Sequence, residues 1–237
     1  MNHLVIEASE LAADGTVRLL GRRLVHAREV LHSKPGTTVK VGLLGGLRGR
    51  GEVVSSSPEA LVLQVVLDEP PPPRANVDLV LAMPRPKQLK RVLAAAASLG
   101  IDRVVLLNAA KVEKSYFHSK VLDPAFLDHL LRLGLEQARD TIAPQLLVRE
   151  RFKPFVEDEL EGFCGGARRF LAHGEAAEPL PRRAAGEKVV LAVGPEGGWT
   201  PFELELLQKQ RFVPVTLGAR PLRVEVAVPA LVGALGP

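Results

Sequence analysis

The sequence predicts an α/β protein in which a small, mostly β part precedes a larger part built on a parallel sheet. Three observations support this: strand-like apolar runs in the first part, alternation of strands and helices in the second, and four consecutive prolines at 70–73 between them. Because a proline run can neither donate to a sheet nor continue a helix, it predicts a stiff, extended linker. We therefore expect two domains, residues 1–70 and 71–237.

The first part contains two apolar runs rich in β-branched residues, 39–44 and 61–67, which predict strands. Apolar residues at helical spacing predict one helix from about Arg22 to His32. The glycine-rich segment 45–51 lacks the Lys-Ser/Thr ending of a phosphate-binding P-loop and lies between strands, so a flexible hairpin is the better interpretation. We expect a small barrel of short strands with one helix.

The second part alternates between strands and helices, which is typical of a parallel sheet covered on both faces. The expected strands are residues 77–82, 103–107, 168–172, 189–193 and 213–217. The expected helices are residues 87–99, 123–139, 201–210 and 226–235. A proline inside a helix costs about 3 kcal/mol, so Pro229 predicts that the last helix begins no earlier than about Val226.

Composition excludes several classes of protein. The chain has 237 residues, of which 46% are hydrophobic, enough for a sizeable buried core. The first 15 residues lack the apolar stretch of a signal peptide, and no run approaches the length of a membrane span. The single cysteine, Cys164, excludes a disulfide framework and a cysteine-ligated metal site. We expect a cytoplasmic protein with no membrane segment and no metal.

Positive charge is unevenly distributed along the chain. Residues 18–50 contain eight basic side chains and one acid, and a second basic cluster, Arg85, Lys87, Lys90 and Arg91, contains no acid. Such clusters are typical of surfaces that contact a nucleic-acid backbone, although a merely solvated basic surface has the same composition. The candidate RNA-binding residues are Arg22, Arg23, Arg28, Arg48, Arg50, Arg85 and Lys87.

The turn Gly194-Pro195-Glu196-Gly197-Gly198 directly follows the predicted strand 189–193. Thr200, Pro201 and Glu203 behind it form the signature of a helix start, with a capping box and a proline at the first helical position. The turn should therefore lie at the carboxyl end of a buried strand, where open α/β sheets bind ligands. A tight turn with no ligand is the alternative.

The composition of this turn disfavours a phosphate-bearing ligand. Pro195 removes a backbone donor, and Glu196 places a negative charge where a pyrophosphate would lie. Two further loops, 172–175 and the one around Gly218, follow predicted parallel strands and should emerge at the same edge of the sheet. The three loops together predict one pocket.

These loops resemble those of the SPOUT superfamily of knotted methyltransferases, and most closely those of the RsmE family. The residues that carry the resemblance are the Gly-Pro-Glu-Gly-Gly turn with its capped helix, over 194–203, and the second loop, over 217–227. Glu136-Gln137 ahead of Arg139 and the basic segment His26 to Leu31 before Pro35-Gly36 also fit the family pattern. The similarity extends over essentially the whole chain.

The resemblance implies a fold and an activity that periodicity does not. It implies an N-terminal PUA-like β-barrel, a C-terminal α/β domain with a trefoil knot, and a homodimer. The activity would be S-adenosylmethionine-dependent methylation of N3 of one uridine in 16S ribosomal RNA of the small subunit. The cofactor would contact Leu171, Ala172, His173, Val193, Gly194, Pro195, Glu196, Gly197, Gly198, Thr216, Leu217, Gly218, Pro221 and Leu222.

Arg223 and Glu225 are the candidate catalytic residues. Arg223 could hold a phosphate or stabilise a uracil anion, and Glu225 could orient that arginine or act as a base. An Arg–Glu ion pair closing a helix N-terminus is the structural alternative, and His173 is a second candidate base.

The chain also departs from the family pattern. Val224 and Val226 stand where the family has threonines, and Pro221 and Pro229 are unusual. The loss of two hydroxyls keeps open a non-catalytic RNA-binding or ribosome-assembly factor that retains the cofactor fold. A nucleotide-binding enzyme of Rossmann type is the other alternative, which the charge of Glu196 disfavours.

Overall fold

The computed structural model of the chain describes residues 3–29 and 34–236. The chain divides into two compact units. The first unit is Met1–Pro73 with Arg132–Ala143, and the second is Arg74–Leu131 with Pro144–Pro237. The segment Arg132–Ala143 thus groups with the N-terminal residues, although the predicted domain bounds assign it to the second domain.

The first unit contains a five-stranded sheet in the order β1-β3-β4-β5-β2. Strands β1 and β3 are parallel, and the other neighbours are antiparallel. The strands are β1 His3–Ile6, β2 Thr16–Leu19, β3 Thr38–Leu43, β4 Arg48–Ser56 and β5 Leu61–Glu69. A 3₁₀ turn Ala8–Glu10 and the helix α1 Gly21–Glu29 complete this unit, and the predicted continuation of the helix to His32 lies outside the described residues.

The glycine-rich segment 45–51 forms a β3–β4 hairpin, as predicted, but its second half is not a turn. Gly45, with φ of +76°, lies in the turn, whereas Gly49 and Gly51 lie inside strand β4. A side chain at Gly49 would place its Cβ 1.9 Å from the carbonyl oxygen of Val66 on the adjacent strand. The glycine is therefore required by a close approach of two strands, not by a change of direction.

The second unit contains a six-stranded, fully parallel sheet in the order β11-β9-β10-β6-β7-β8. The strands are β6 Val77–Ala82, β7 Arg103–Leu107, β8 Gln145–Arg149, β9 Arg168–Ala172, β10 Val189–Val193 and β11 Val213–Val215. Four predicted strands have these bounds, the fifth ends two residues earlier, and β8 was not predicted. The mixed α/β class is thereby confirmed.

Four helices lie where the apolar spacing predicted them, within two residues at each end, namely α2 Pro86–Ser98, α3 Pro124–Ala138, α6 Pro201–Lys209 and α7 Val224–Leu235. Two shorter helices, α4 Phe152–Pro154 and α5 Leu160–Cys164, lie between β8 and β9. The α4–α5 segment, which a π-helical turn Phe155–Glu159 joins, was not predicted. Two short 3₁₀ helices, Lys114–His118 and Lys120–Leu122, lie between β7 and α3.

Helix α7 begins two residues before the start that Pro229 predicted, so that prediction was wrong. The carbonyl oxygen of Arg223 accepts hydrogen bonds from the backbone N–H groups of Val226 and Ala227, at 2.9 and 2.8 Å. Pro229 removes only one backbone N–H group, the one that would donate to the carbonyl of Glu225. Buried apolar residues at helical spacing offset that cost, namely Val224, Val228, Leu231 and Leu235.

Charged side chains form a closed network at the amino-terminal edge of the second sheet. Asp78 is fully buried and accepts from Arg103 and from Lys188, whose Nζ lies 3.0 Å from Oδ1 of Asp78. Lys188 also donates to Asp102, which in turn pairs with Arg74 at 3.2 Å. The cations therefore neutralise both carboxylates without leaving a buried charge unpaired.

Within the ranges 3–29 and 34–236, no helix is long and apolar enough to cross a membrane. The same residues contain no cluster of histidine, cysteine, aspartate or glutamate side chains that could hold a metal ion.

His3 should make the first unit sensitive to acid. The side chain is 3% exposed, and neither ring nitrogen has a hydrogen-bond partner among the described residues. Burial, followed by the nearby cations Arg48 and Arg139, lowers the pKa of His3 from 6.5 to about 4. The unfolded chain then binds more protons between these values, so this contribution to stability is complete above pH 6.5 and is lost as the pH falls towards 4.

The size of this contribution is roughly 3 kcal/mol at most. Denaturant unfolding between pH 7 and 4 should therefore show a shallower loss of stability in His3→Leu than in the parent chain. Equal slopes in the two proteins would contradict the assignment.

Candidate active site

Six loops leave the carboxyl-terminal edge of the second sheet, one after each parallel strand. The chain runs outward from β6 through β7 to β8, and then returns to the other side of β6 with β9, β10 and β11. The strand order therefore reverses between β6 and β10. Such a switch point opens a crevice at the carboxyl edge, and the loops after β6 and β10 form its two walls.

The turn after β10 is held by its own backbone and by an indole ring. The N–H of Gly198 donates to the carbonyl of Pro195 at 2.8 Å, and Gly198 has a φ of +68°, which favours glycine. A Cβ at Gly194 would lie 3.0 Å from Nε1 of the buried Trp199. Both glycines are thus required by geometry, one by its φ angle and one by close packing.

The predicted capping box at the start of α6 is present and extends beyond its own helix. Oε2 of Glu203 accepts from the N–H and the hydroxyl of Thr200, at 2.8 and 2.9 Å. Oε1 of the same carboxylate accepts from the backbone N–H of Ala110 at 2.7 Å. The ammonium group of Lys111 donates to the carbonyl of Gly197 at 2.7 Å. The loops after β7 and β10 are therefore joined at two points.

Glu196 joins the turn to the loop after β6, because its Oε1 accepts from the backbone N–H of Arg85 at 3.2 Å. Next to this contact lies a cavity of about 290 Å³. The residues that line it all carry a polar or charged group, although their hydrocarbon stems form most of its surface, and they are Arg85, Gln88, Glu196, Arg223 and Glu225. The two catalytic candidates therefore meet one member of the predicted cofactor site in a single cavity.

Arg223 and Glu225 face this cavity without pairing with each other. Oε1 of Glu225 lies 3.5 Å from a guanidinium nitrogen of Arg91, on helix α2, and the Glu225 side chain is 8% exposed. Arg223 is exposed at the N-cap of α7, and within the described part of the chain its guanidinium forms no hydrogen bond or ion pair. The alternative of an Arg223–Glu225 ion pair is thus not observed.

The other predicted cofactor residues lie on the loops after β9, β10 and β11, which the neighbouring strands bring side by side. The backbone N–H of His173 donates to the carbonyl of Val215 at 3.0 Å. The hydroxyl of Thr216 accepts from the N–H of Gly218 at 3.1 Å, and Gly218 has a φ of +114°. Leu171 and Val193 are buried strand ends, whereas Leu217, Pro221 and Leu222 are exposed.

The candidate RNA-binding residues fall into three groups. Arg85 and Lys87 are exposed at the start of α2, and Arg50 is 62% exposed with Asp68 at 3.5 Å. Arg48 donates to the carbonyls of Pro70 and Arg139, at 2.9 and 3.1 Å, and Arg23 pairs with Glu10. The structure does not describe the side chains of Arg22 and Arg28.

Gln88 is a cavity residue that sequence reasoning missed. It lies within the second basic cluster, three residues or about one helical turn after Arg85, and its side chain lines the same cavity. The spacing alone could have suggested it, but a neutral amide in a basic cluster carries no chemical signal of its own.

Comparisons with known proteins agree on one family. Residues 70–236 match the sequence profile of the RNA methyltransferase domain. Ribosomal RNA small subunit methyltransferase E of Treponema pallidum is 29% identical over 232 residues, which cover 96% of this chain and 87% of that protein. The protein of the same name from Mycobacterium bovis is 29% identical over 223 residues, covering 89% and 82%.

A crystal structure provides an independent comparison of the fold. The methyltransferase of that name from Neisseria gonorrhoeae, bound to S-adenosyl methionine, superposes with a TM-score of 0.76. The two chains are 19% identical, and the match covers 97% of this chain and 95% of the other.

Proposed function

Because the chain belongs to the RNA methyltransferase domain family, we propose that it methylates 16S ribosomal RNA of the small subunit with S-adenosylmethionine, at N3 of a specific uridine. The observation that carries this proposal is the polar cavity at the switch point of the sheet, where Arg223 and Glu225 lie beside the Gly194–Gly198 turn. The names of the full-length relatives support the small-subunit substrate, and the resemblance to the RsmE family supports uridine N3.

The residues of the three loops fit the proposed cofactor. Pro195 offers no N–H, and the exposed Glu196 adds negative charge, so the turn suits a cationic sulfonium better than a phosphate. Gly218 has open space around it and would allow an adenosine to approach the backbone closely. When bound, the cofactor supplies an activated methyl group. The residues proposed to hold it are those expected from the sequence on the loops after β9, β10 and β11.

Arg223 and Glu225 provide the groups that uridine N3 requires. N3 is a weakly acidic imide nitrogen, which must lose its proton before it can attack a methyl group. Glu225 is the proposed proton acceptor, because its carboxylate is buried at the cavity wall. The guanidinium of Arg223, which has no partner among the described residues, would stabilise the negative charge that develops on the uracil carbonyl oxygens.

Residues 1–70 are the proposed RNA-binding domain, with a PUA-like barrel as its fold, and residues 71–237 the proposed methyltransferase domain. The five-stranded sheet with its apolar core is compatible with such a barrel. The exposed cations Arg50, Arg85 and Lys87 would contact phosphates, whereas the backbone contacts of Arg48 favour a structural role.

Removing one phosphate contact should change the salt dependence of RNA binding. For Lys87→Gln we expect weaker binding to every RNA sequence and a decrease of about 0.7 to 0.9 in the slope of log affinity against log salt concentration. Lys209→Gln is the matched control, because Lys209 is exposed at the far end of α6 and pairs with Glu205. Filter binding at several salt concentrations measures both, and identical slopes would remove Lys87 from the interface.

Three further features belong to the same proposal. In favour of a trefoil knot, segment 178–183 contacts two later parts of the chain: the carbonyl of Glu178 accepts from the N–H of Thr216, and the N–H of Arg183 donates to the carbonyl of Leu235. A homodimer is supported by exposed apolar side chains close to the cofactor loops, namely Phe202, Leu217, Leu222 and Val226. A ribosomal RNA substrate supports action in the cytoplasm.

The test is methyl transfer to small ribosomal subunits that lack the modification, followed by mass mapping of the 16S RNA. We expect one methyl group per subunit, on N3 of a single uridine, and only in the presence of this protein. A non-catalytic assembly factor would bind the subunit and the cofactor without adding a methyl group. Methylation at another atom would retain the enzyme and correct the substrate position.

A further inference from the structure

Two oxygen atoms in the wall of the polar cavity have no hydrogen-bond donor. They are Oε1 of Gln88, on helix α2, and Oε2 of Glu225, in the first turn of helix α7. Both atoms are buried, and none of the described residues donates to either. A buried acceptor without a donor lowers the stability of a protein by about 1 to 3 kcal/mol, so the two oxygens destabilise the protein when no substrate is bound.

Gln88 and Glu225 line the same cavity from two helices that are in contact. Arg91 follows Gln88 by three residues on α2, so the two side chains share one face of that helix. The guanidinium of Arg91 contacts the other oxygen of Glu225, Oε1, at 3.5 Å. Arg91 thereby holds one carboxylate oxygen, while Oε2 stays buried without a donor in the cavity wall to which Gln88 also belongs.

One proton would satisfy both orphan oxygens. A carboxylate and an amide oxygen cannot bond to each other, because both are acceptors. Once Oε2 of Glu225 carries a proton, however, its O–H becomes a donor, and the amide oxygen of Gln88 is an available acceptor. With the Gln88 amide oxygen in its present orientation, the wall of the cavity is therefore better satisfied after a proton has entered it than before.

We propose that Gln88 is a positioning residue for proton removal, which acts by accepting a hydrogen bond from Glu225 after that carboxylate has taken the proton of the substrate. This inference rests on the proposed function, in which the substrate is a nucleobase with an imide N–H. Gln88 belongs neither to the residues expected to contact the cofactor nor to those expected to contact RNA.

The imide N–H bond breaks, its proton bonds to Oε2 of Glu225, and the electron pair remains on the uracil as an anion that Arg223 stabilises. The anion then forms the new N–C bond to the methyl group, and the electrons of the broken S–C bond return to sulfur. The carboxyl proton, held towards Gln88 during transfer, afterwards leaves to solvent.

The variant Gln88→Met tests this role. Methionine keeps the length and helix propensity of glutamine but has no strong acceptor. We expect the single-turnover rate with small-subunit RNA to fall about tenfold, while the affinity for RNA and for S-adenosylhomocysteine stays within twofold of the parent. Gln208→Met, at an exposed position on helix α6, is the matched control and should leave the rate unchanged.

An RNA that contains 5-fluorouridine separates proton removal from a merely structural effect. Fluorine makes the imide more acidic, so the reaction depends less on the protein to accept the proton. The defect of Gln88→Met should then shrink to about threefold or less on fluorinated RNA. A structural defect would reduce both rates by the same factor.

The outcomes distinguish this inference from the proposed function. If the parent chain transfers no methyl group to either RNA, the proposed function fails and the inference fails with it. If the parent is active and Gln88→Met is equally active, only the inference is overturned. An equal loss on both RNAs also overturns it, because Gln88 would then act through the fold and not through the proton.

Discussion

Arg223→Ala should abolish methyl transfer and leave cofactor binding intact. The guanidinium lines the cavity and is unpaired within the described residues, so its removal withdraws positive charge from the place where the proposed uracil anion would form. Loss of one such preorganised donor lowers a rate by about a hundredfold to a thousandfold. The helix should tolerate the change, because the Arg223 side chain makes no capping hydrogen bond.

The measurements are single-turnover methyl transfer and calorimetry with S-adenosylhomocysteine. Arg220→Ala is the matched control, since Arg220 is an exposed arginine of the same loop that does not line the cavity. Arg223→Lys should recover only part of the rate, because an ammonium keeps the charge but not the planar set of donors. Full activity of Arg223→Ala would remove this residue from the reaction, and a parallel loss of cofactor affinity would move it to the cofactor site.

Glu203→Ala should lower the free energy of unfolding by about 3 kcal/mol. The carboxylate is 2% exposed and accepts three hydrogen bonds, from Thr200 at the cap of α6 and from Ala110 after β7. Alanine would leave two backbone N–H groups without their partner and would also remove one of the two links between the loops after β7 and β10. We therefore expect a lower Tm together with a lower rate of methyl transfer.

Glu205→Ala provides the comparison for Glu203, because Glu205 lies on the same helix, exposed, and pairs only with Lys209. Exposed ion pairs of this kind contribute about 0.3 to 0.5 kcal/mol, so this change should be nearly neutral. Chemical denaturation of both variants gives the two free energies. Similar values would show that the buried capping box of Glu203 contributes no more than a surface pair.

The strands that could be predicted from the sequence with their bounds are those whose residues are mostly buried. Strand β10, Val189–Val193, is buried throughout and was predicted with its bounds, because a continuous apolar run between turn residues has few other interpretations. Strand β4, Arg48–Ser56, was missed, since its glycines and charged residues look like a loop. The glycine at 49 is explained only by the neighbouring strand β5, whose backbone approaches it closely.

The site could be predicted where its residues are consecutive and not where they come together through folding. The turn at Gly194 and the cap at Thr200 are local patterns, and the capping box confirms the second. The Arg91–Glu225 contact joins helices that are far apart in the chain, and no spacing of residues in the sequence predicts it. The cavity role of Gln88 has the same origin.

The departure from the family threonines is smaller than the sequence suggests. Val224 is 5% exposed and is one of the buried residues by which helix α7 packs. Val226 is 49% exposed, so of the two positions only this one could present a hydroxyl to solvent or substrate. The replacement at 224 is therefore a change of core packing, and only the replacement at 226 removes a hydroxyl that a substrate could contact.

The charge network around Asp78 has a consequence for how this protein can change. At the amino edge of the second sheet the carboxylates of Asp78 and Asp102 both pair with cations. At the carboxyl edge, Arg223 and two buried acceptor oxygens have no partner within the described residues. We therefore expect substitutions in the Asp78 network to change the Tm with little effect on methyl transfer, because they lie at the edge opposite to the groups proposed for the chemistry.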